Sequence, residues 1–201
     1  MPTNDRRPAL YASYELAARV VTAVGDQDLS KPTPCPEYDV ATLVDHLVGA
    51  ADRAVAVGRG EAPAPEEFPH VQLADAPELL RQSGRAAEAA WSDDSRLEAT
   101  VTMPWGETYT GETLVDMYLA ELAAHSWDLA VSTGQGGELG PEIAGPALEG
   151  ARAMLKPEYR DLMGKGNPFG PEVAPPEDAT GWELFAAFMG RPPRLTDFAE
   201  A

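Results

Sequence analysis

From Glu112 to Thr133 the chain runs without glycine or proline, and its apolar residues recur at helical spacing. Gly134 and the Gly136-Gly137 pair end the run. A helix of that length spans about 33 Å, roughly the width of a small domain. On a helical wheel Leu114, Val115, Tyr118, Leu122 and Leu129 form one apolar stripe, and His125 falls inside it. Glu121 lies about 40° from His125, at the shoulder of the stripe. An ionised carboxylate in such surroundings is costly unless a positive or donating group meets it, so Glu121 needs a partner. His125 can be that partner through a plain hydrogen bond between residues i and i+4, or the two can be ligands of one metal ion.

The other segments are punctuated as helices of a bundle. Pro8 suits a first helical turn, and Leu10, Tyr14, Ala17, Val21 and Val24 follow at helical spacing up to Gly25. Pro32, Pro34 and Pro36 exclude regular helix, after which Asp39 can cap a helix from Val40 to Val57. A loop rich in Pro, Gly and Glu runs from Gly58 to about Leu73, and a third helix is expected from Pro77 to Trp91. In LEATVTMPWGETYTG the period changes to two: Leu97, Ala99, Val101 and Met103 alternate with polar residues, and Trp105-Gly106 can turn, which predicts a short hairpin. A weaker helix is expected from Glu142 to Leu155 and a closing helix over WELFAAFMG. The expected fold is mainly α: a four-helix bundle with a minor β-hairpin and extra C-terminal helices. Residues 1–201 are expected to form a single domain, with 155–201 a Pro/Gly-rich wrapping segment and closing helix.

Charge and cysteine content exclude several partners. A formal net charge of -18, with no cluster of Lys or Arg to offset it, repels nucleic acid and anionic lipid. No apolar run approaches the roughly 20 residues of a membrane span, and the N-terminus has no apolar signal core. The single cysteine, Cys35, excludes an intrachain disulfide and fits a reducing compartment, so a cytoplasmic location is expected. Cys35 itself, between two prolines at a helix entry, is expected to be a buried, inert thiol.

A second histidine bears on the Glu121/His125 pair. In the helix from Val40, Leu43, Val44, Leu47 and Ala51 face inward, and His46 lies at the edge of that stripe. In an antiparallel bundle, two helices can turn His46, Glu121 and His125 toward one interior point. Two imidazoles and a carboxylate are the ligand set of an open divalent-metal site, with positions left for water or substrate.

Two stretches carry a family likeness: TPCPEYDVATLVDHLVGA, residues 33–50, and ELAAHSWDLAVSTGQ, residues 121–135. The terminal FAAFMGRPP, residues 185–193, is a third. With these motifs in this order, the chain resembles the DinB-like metal-binding helical bundle superfamily and, within it, the mycothiol-dependent maleylpyruvate isomerase-like branch. The resemblance implies that His46, Glu121 and His125 are the metal ligands. It also implies thiol-dependent chemistry, in which the metal binds the sulfur of a small cofactor thiol, mycothiol or a similar molecule. Tyr38 stands where this branch usually has tryptophan.

The expected function is therefore a metal-dependent thiol transferase or isomerase acting on a small electrophilic substrate, with zinc as the first candidate metal and nickel or iron as others. Two alternatives remain: a non-catalytic metal- or ligand-binding bundle, and a metallohydrolase that uses metal-bound water. Asp128, three residues past His125, can accept a proton from a ligand imidazole, or be solvated or capping. Trp127 faces the other way on the wheel. Arg53 and Arg191 are candidates to pair with an anionic substrate, although each is expected at the surface. His70, in an acidic proline-rich loop, has no ligand spacing and no expected role.

Overall fold

The computed structural model describes residues 5–36, 38–63, 69–136, 139–156, 160 and 170–194. Pro8 opens the first helix, α1 (Arg7–Thr22), at a position where its missing N–H costs no hydrogen bond. A 3-10 turn at Asp26–Asp28 and a proline-rich loop lead to α2 (Val40–Gly58), whose first free amides are met as expected: the Asp39 side chain accepts from the Thr42 N–H at 2.8 Å. Then come α3 (Ala76–Ala90), a single turn α4 (Ser95–Glu98), and the hairpin of β1 (Thr100–Thr102) and β2 (Thr108–Thr110). The strands pair antiparallel with Val101 opposite Tyr109, and Gly106 takes a φ of 92° in the turn. The long helix is α5 (Gly111–Thr133), closed by Gly134 at φ 77°. It is followed by α6 (Ala144–Met154) and α7 (Gly181–Phe188), whose Thr180 and Glu183 form a reciprocal capping box.

The helices α1, α2, α3 and α5 make the bundle: α3 packs on α1 and α2, and α5 packs on the same two helices from the other side. On the far face of α5 lies α6, and α7 packs on α6. The long helix is therefore covered on nearly every side. Leu119, Ala120, Ala123, Ala124 and Trp127 are as buried as the expected stripe of Leu114, Val115, Tyr118, Leu122 and Leu129. A wheel finds the face toward the bundle, but the second face mixes Leu119 and Trp127 with three alanines, and alanine gives a wheel little contrast.

One expectation changes. Leu97 lies in the turn of α4 and Ala99 caps it, so the strand begins only at Thr100. The alternation of Leu97 and Ala99 with polar residues is too short to separate strand from a turn of helix. The expected wrapping of the bundle by the segment after Leu155 falls largely outside the described residues. Within them, Val173 donates to the Ala187 carbonyl at 2.9 Å, which holds the approach to α7 against its end. No helix among the described residues is long and apolar enough to cross a membrane.

Candidate metal centre

His46 sits seven residues past the Asp39 cap, on the part of α2 that faces α5, and Glu121 and His125 lie one turn apart in the middle of α5. Docking of the two helices brings their side chains together. The His46 Nε2 donates to Glu121 Oε1 at 2.7 Å, and His125 Nε2 stands 3.5 Å from the same oxygen. The imidazoles meet edge to face, with ring centroids 4.7 Å apart at 83°. One donor atom from each residue lies within 4.8 Å of the others. Both histidine side chains are buried, whereas the Glu121 side chain keeps 16% of its exposure, which marks the side from which the cluster can be reached.

The loop before α2 closes one wall. Thr33 holds the proline-rich loop in shape, its hydroxyl 2.7 Å from the Tyr38 carbonyl and 3.2 Å from the Cys35 amide. This brings the Tyr38 ring to 5.1 Å from the His46 ring and 6.5 Å from that of His125. Cys35 is buried and not in a disulfide, in accord with the expectation for a small packed thiol.

Behind the cluster, His125 Nδ1 donates to Asp128 Oδ2 at 3.1 Å. That bond leaves the Nε2 lone pair of a neutral imidazole facing Glu121 and His46. Asp128 is fully buried, which settles its role against solvent or capping. Arg191, expected at the surface, is also buried, and its guanidinium grips Asp128 through Nε to Oδ1 at 3.1 Å and Nη2 to Oδ2 at 3.0 Å. A charge so placed demands an opposite one, and Asp128 supplies it. Burial alone would push the Asp128 carboxyl up, but Arg191 and His125 outweigh it and hold it below its usual value. Arg53 stays partly exposed on α2. His70 is exposed and 3.1 Å from Asp45. Trp127 does point elsewhere, stacking on Trp182 of α7 with centroids 6.1 Å apart.

Arg191, which sequence patterns placed at the surface, takes its surroundings from distant parts of the chain, whereas Asp128 takes the first of the roles the sequence left open, as acceptor from His125. Tyr38 was visible only as an odd residue in a family motif.

A family model, the mycothiol maleylpyruvate isomerase N-terminal domain, matches residues 11–130, a span that contains all three cluster residues. The chain belongs to this family. Two proteins of Mycobacterium tuberculosis, both named as uncharacterized and coming from strains CDC 1551 and H37Rv, are 34% identical to it over 184 residues, covering 90% of this chain and 93% of theirs. Among solved structures, the mycothiol-dependent maleylpyruvate isomerase superposes with a TM-score of 0.58 at 14% identity. A histidine-to-alanine mutant of that isomerase gives 0.60 at 15%. Each match covers 86% of this chain and 74% of the other. At that identity the likeness establishes the shared fold.

Proposed function

We propose that this chain holds one divalent transition metal through His46, Glu121 and His125 and uses it with a small thiol, mycothiol or a relative of it, to transfer the thiol to, or isomerise, a small electrophile. The observation that carries this reading is the meeting of three donor atoms from two helices within 4.8 Å at a buried point with one exposed edge. The donor set fits: two imidazole nitrogens and one carboxylate oxygen suit zinc, and nickel and iron also accept them. Bound there, a divalent cation would supply a Lewis acid that favours the ionised form of a thiol.

The chain's own residues contribute the rest. Asp128 commits His125 to presenting Nε2, and Glu121 brings the negative charge that two neutral imidazoles lack. Tyr38, beside both rings, forms the wall against which a substrate at the open edge would pack. Membership of a family named for a mycothiol-dependent isomerase supports the thiol, and the partner is then a small molecule, in keeping with a surface too acidic for nucleic acid.

Metal analysis of protein purified without chelator is expected to give about one divalent transition metal per chain, and His46→Ala to abolish it with helical content unchanged. The loaded protein, screened with mycothiol against a panel of electrophiles, should consume thiol only when metal is present. Metal-free wild-type protein that cannot be reloaded would overturn the reading, as would collapse of the bundle in His46→Ala, since the metal would then be structural.

A further inference from the structure

The bundle accounts for His46, Glu121 and His125, but not for a buried arginine delivered from the far end of the chain. After α7 the backbone turns at Gly190, with φ 75°, where a Cβ would come within 2.7 Å of the Gly170 carbonyl oxygen. This turn needs glycine, and it directs Arg191 back into the core. There the guanidinium makes its two bonds to Asp128, and its Nη1 donates to the Met189 carbonyl at 2.9 Å. Asp128 Oδ2 accepts from Arg191 and from His125 Nδ1 together.

A fork that grips both carboxylate oxygens leaves the carboxylate a single orientation. That orientation in turn sets the His125 ring, whose other nitrogen faces Glu121. As a pure fastening for α7, an apolar pair of similar volume would serve as well as a buried ion pair. The pair instead stands on the back nitrogen of a residue in the cluster, with its arginine 63 positions beyond its aspartate in sequence.

We propose that seating of the C-terminal segment and metal binding are coupled through Arg191, Asp128 and His125, so that Asp128 and Arg191 are positioning residues of the metal centre. This rests on the metal reading above. Because such coupling is reciprocal, a seated Arg191 tightens metal binding, and bound metal holds the segment down by the same factor.

The test uses the full chain and Zn2+ as the probe. Chelator competition should show that Asp128→Asn and Arg191→Met weaken Zn2+ binding by about 10–100-fold, the usual cost of losing a group behind a ligand histidine. Arg191→Lys, which keeps the charge and one of the two bonds, should fall between these and wild type. The second readout needs no variant. The amides of Met189, Gly190 and Arg191 donate to Phe185, Ala187 and Ala186, and saturating Zn2+ should slow their hydrogen exchange in the wild type several-fold.

If wild-type protein binds Zn2+ but Arg191→Lys binds it equally well and those amides exchange at one rate with and without it, the coupling is wrong while the metal reading stands. Failure of wild type to bind Zn2+ would overturn both. Should Arg191→Met not fold, the wild-type exchange comparison decides alone.

Discussion

Glu121 is the one acidic member of the cluster, and its Oε1 stands 2.7 Å from His46 Nε2 and 3.5 Å from His125 Nε2. Burial pushes its carboxyl up, but the His125 charge and the bonds from His125 and His46 outweigh this and hold it well below the usual carboxylate range. Glu121→Gln keeps size and hydrogen bonding and removes the charge. Zn2+ affinity is expected to fall at least tenfold, about 1.4 kcal/mol, with secondary structure intact. Full metal occupancy and activity in that variant would make the carboxylate only a hydrogen-bond partner of His125. Burial alone lowers the His125 imidazole, yet the Glu121 charge and the Asp128 bond raise it to about 9. A raised value in the folded state stabilises fully below the unfolded pKa of 6.5 and is lost as pH rises through about 9. In chelator, the melting temperature should therefore decline across that window. Metal needs the imidazole neutral, so the rise in melting temperature on adding Zn2+ should grow over the same range. Melts at several pH values with and without Zn2+ check both slopes; a flat chelator curve would count against the ion pair.

Each helix that carries a member of the cluster is held by local chemistry separate from the site. For α2 this is the Asp39 cap, whose bond from Thr42 keeps its carboxyl below the ordinary value. Asp39→Ala is expected to cost about 1 kcal/mol of stability while metal stoichiometry stays unchanged, because the cap is two turns from His46. Denaturant titration and metal analysis of the variant measure the two effects, and loss of metal without loss of stability would contradict this separation. For α5 the start is set by packing as well as capping. A Cβ on Gly111 would come within 1.9 Å of the Arg96 carbonyl oxygen, so only glycine lets the helix begin hard against α4.

Across the whole molecule one apolar cluster runs from Leu10 of α1 through Leu47, Leu80 and Leu122 to Ala147 and Phe185 of the C-terminal helices. The Trp127–Trp182 stack lies on the seam between the bundle and those helices, and Trp182 also donates to the Gly140 carbonyl. A cluster continuous across that seam is the ground for proposing that the chain unfolds as one domain. With Trp91 and Trp105 replaced by phenylalanine, fluorescence of Trp127 and Trp182, which reads the seam, and far-UV circular dichroism, which reads all the helices, should then give superimposable denaturation curves. A fluorescence transition at lower denaturant would separate the C-terminal helices as a second unit.

The helix boundaries could be read from the sequence because what sets them is local: Pro8 at a first turn, Asp39 as a cap, Gly134 as a left-handed stop. The Glu121/His125 pair could be read too, since one helical turn fixes their distance whatever surrounds the helix. Leu97 was misread because a few alternating residues fit a turn of helix as well as a strand. Spacing could offer His46 as a third member only as a possibility, and it was the family motif that joined it to the pair. Its distance from Glu121 depends on how α2 docks on α5 across a sequence separation of 75. Burial of Arg191 was beyond any pattern: an arginine after glycine near a chain end looks like a surface residue. Only the packing of α6 and α7 over α5, and the turn at Gly190, bring it to the carboxylate that a buried guanidinium requires.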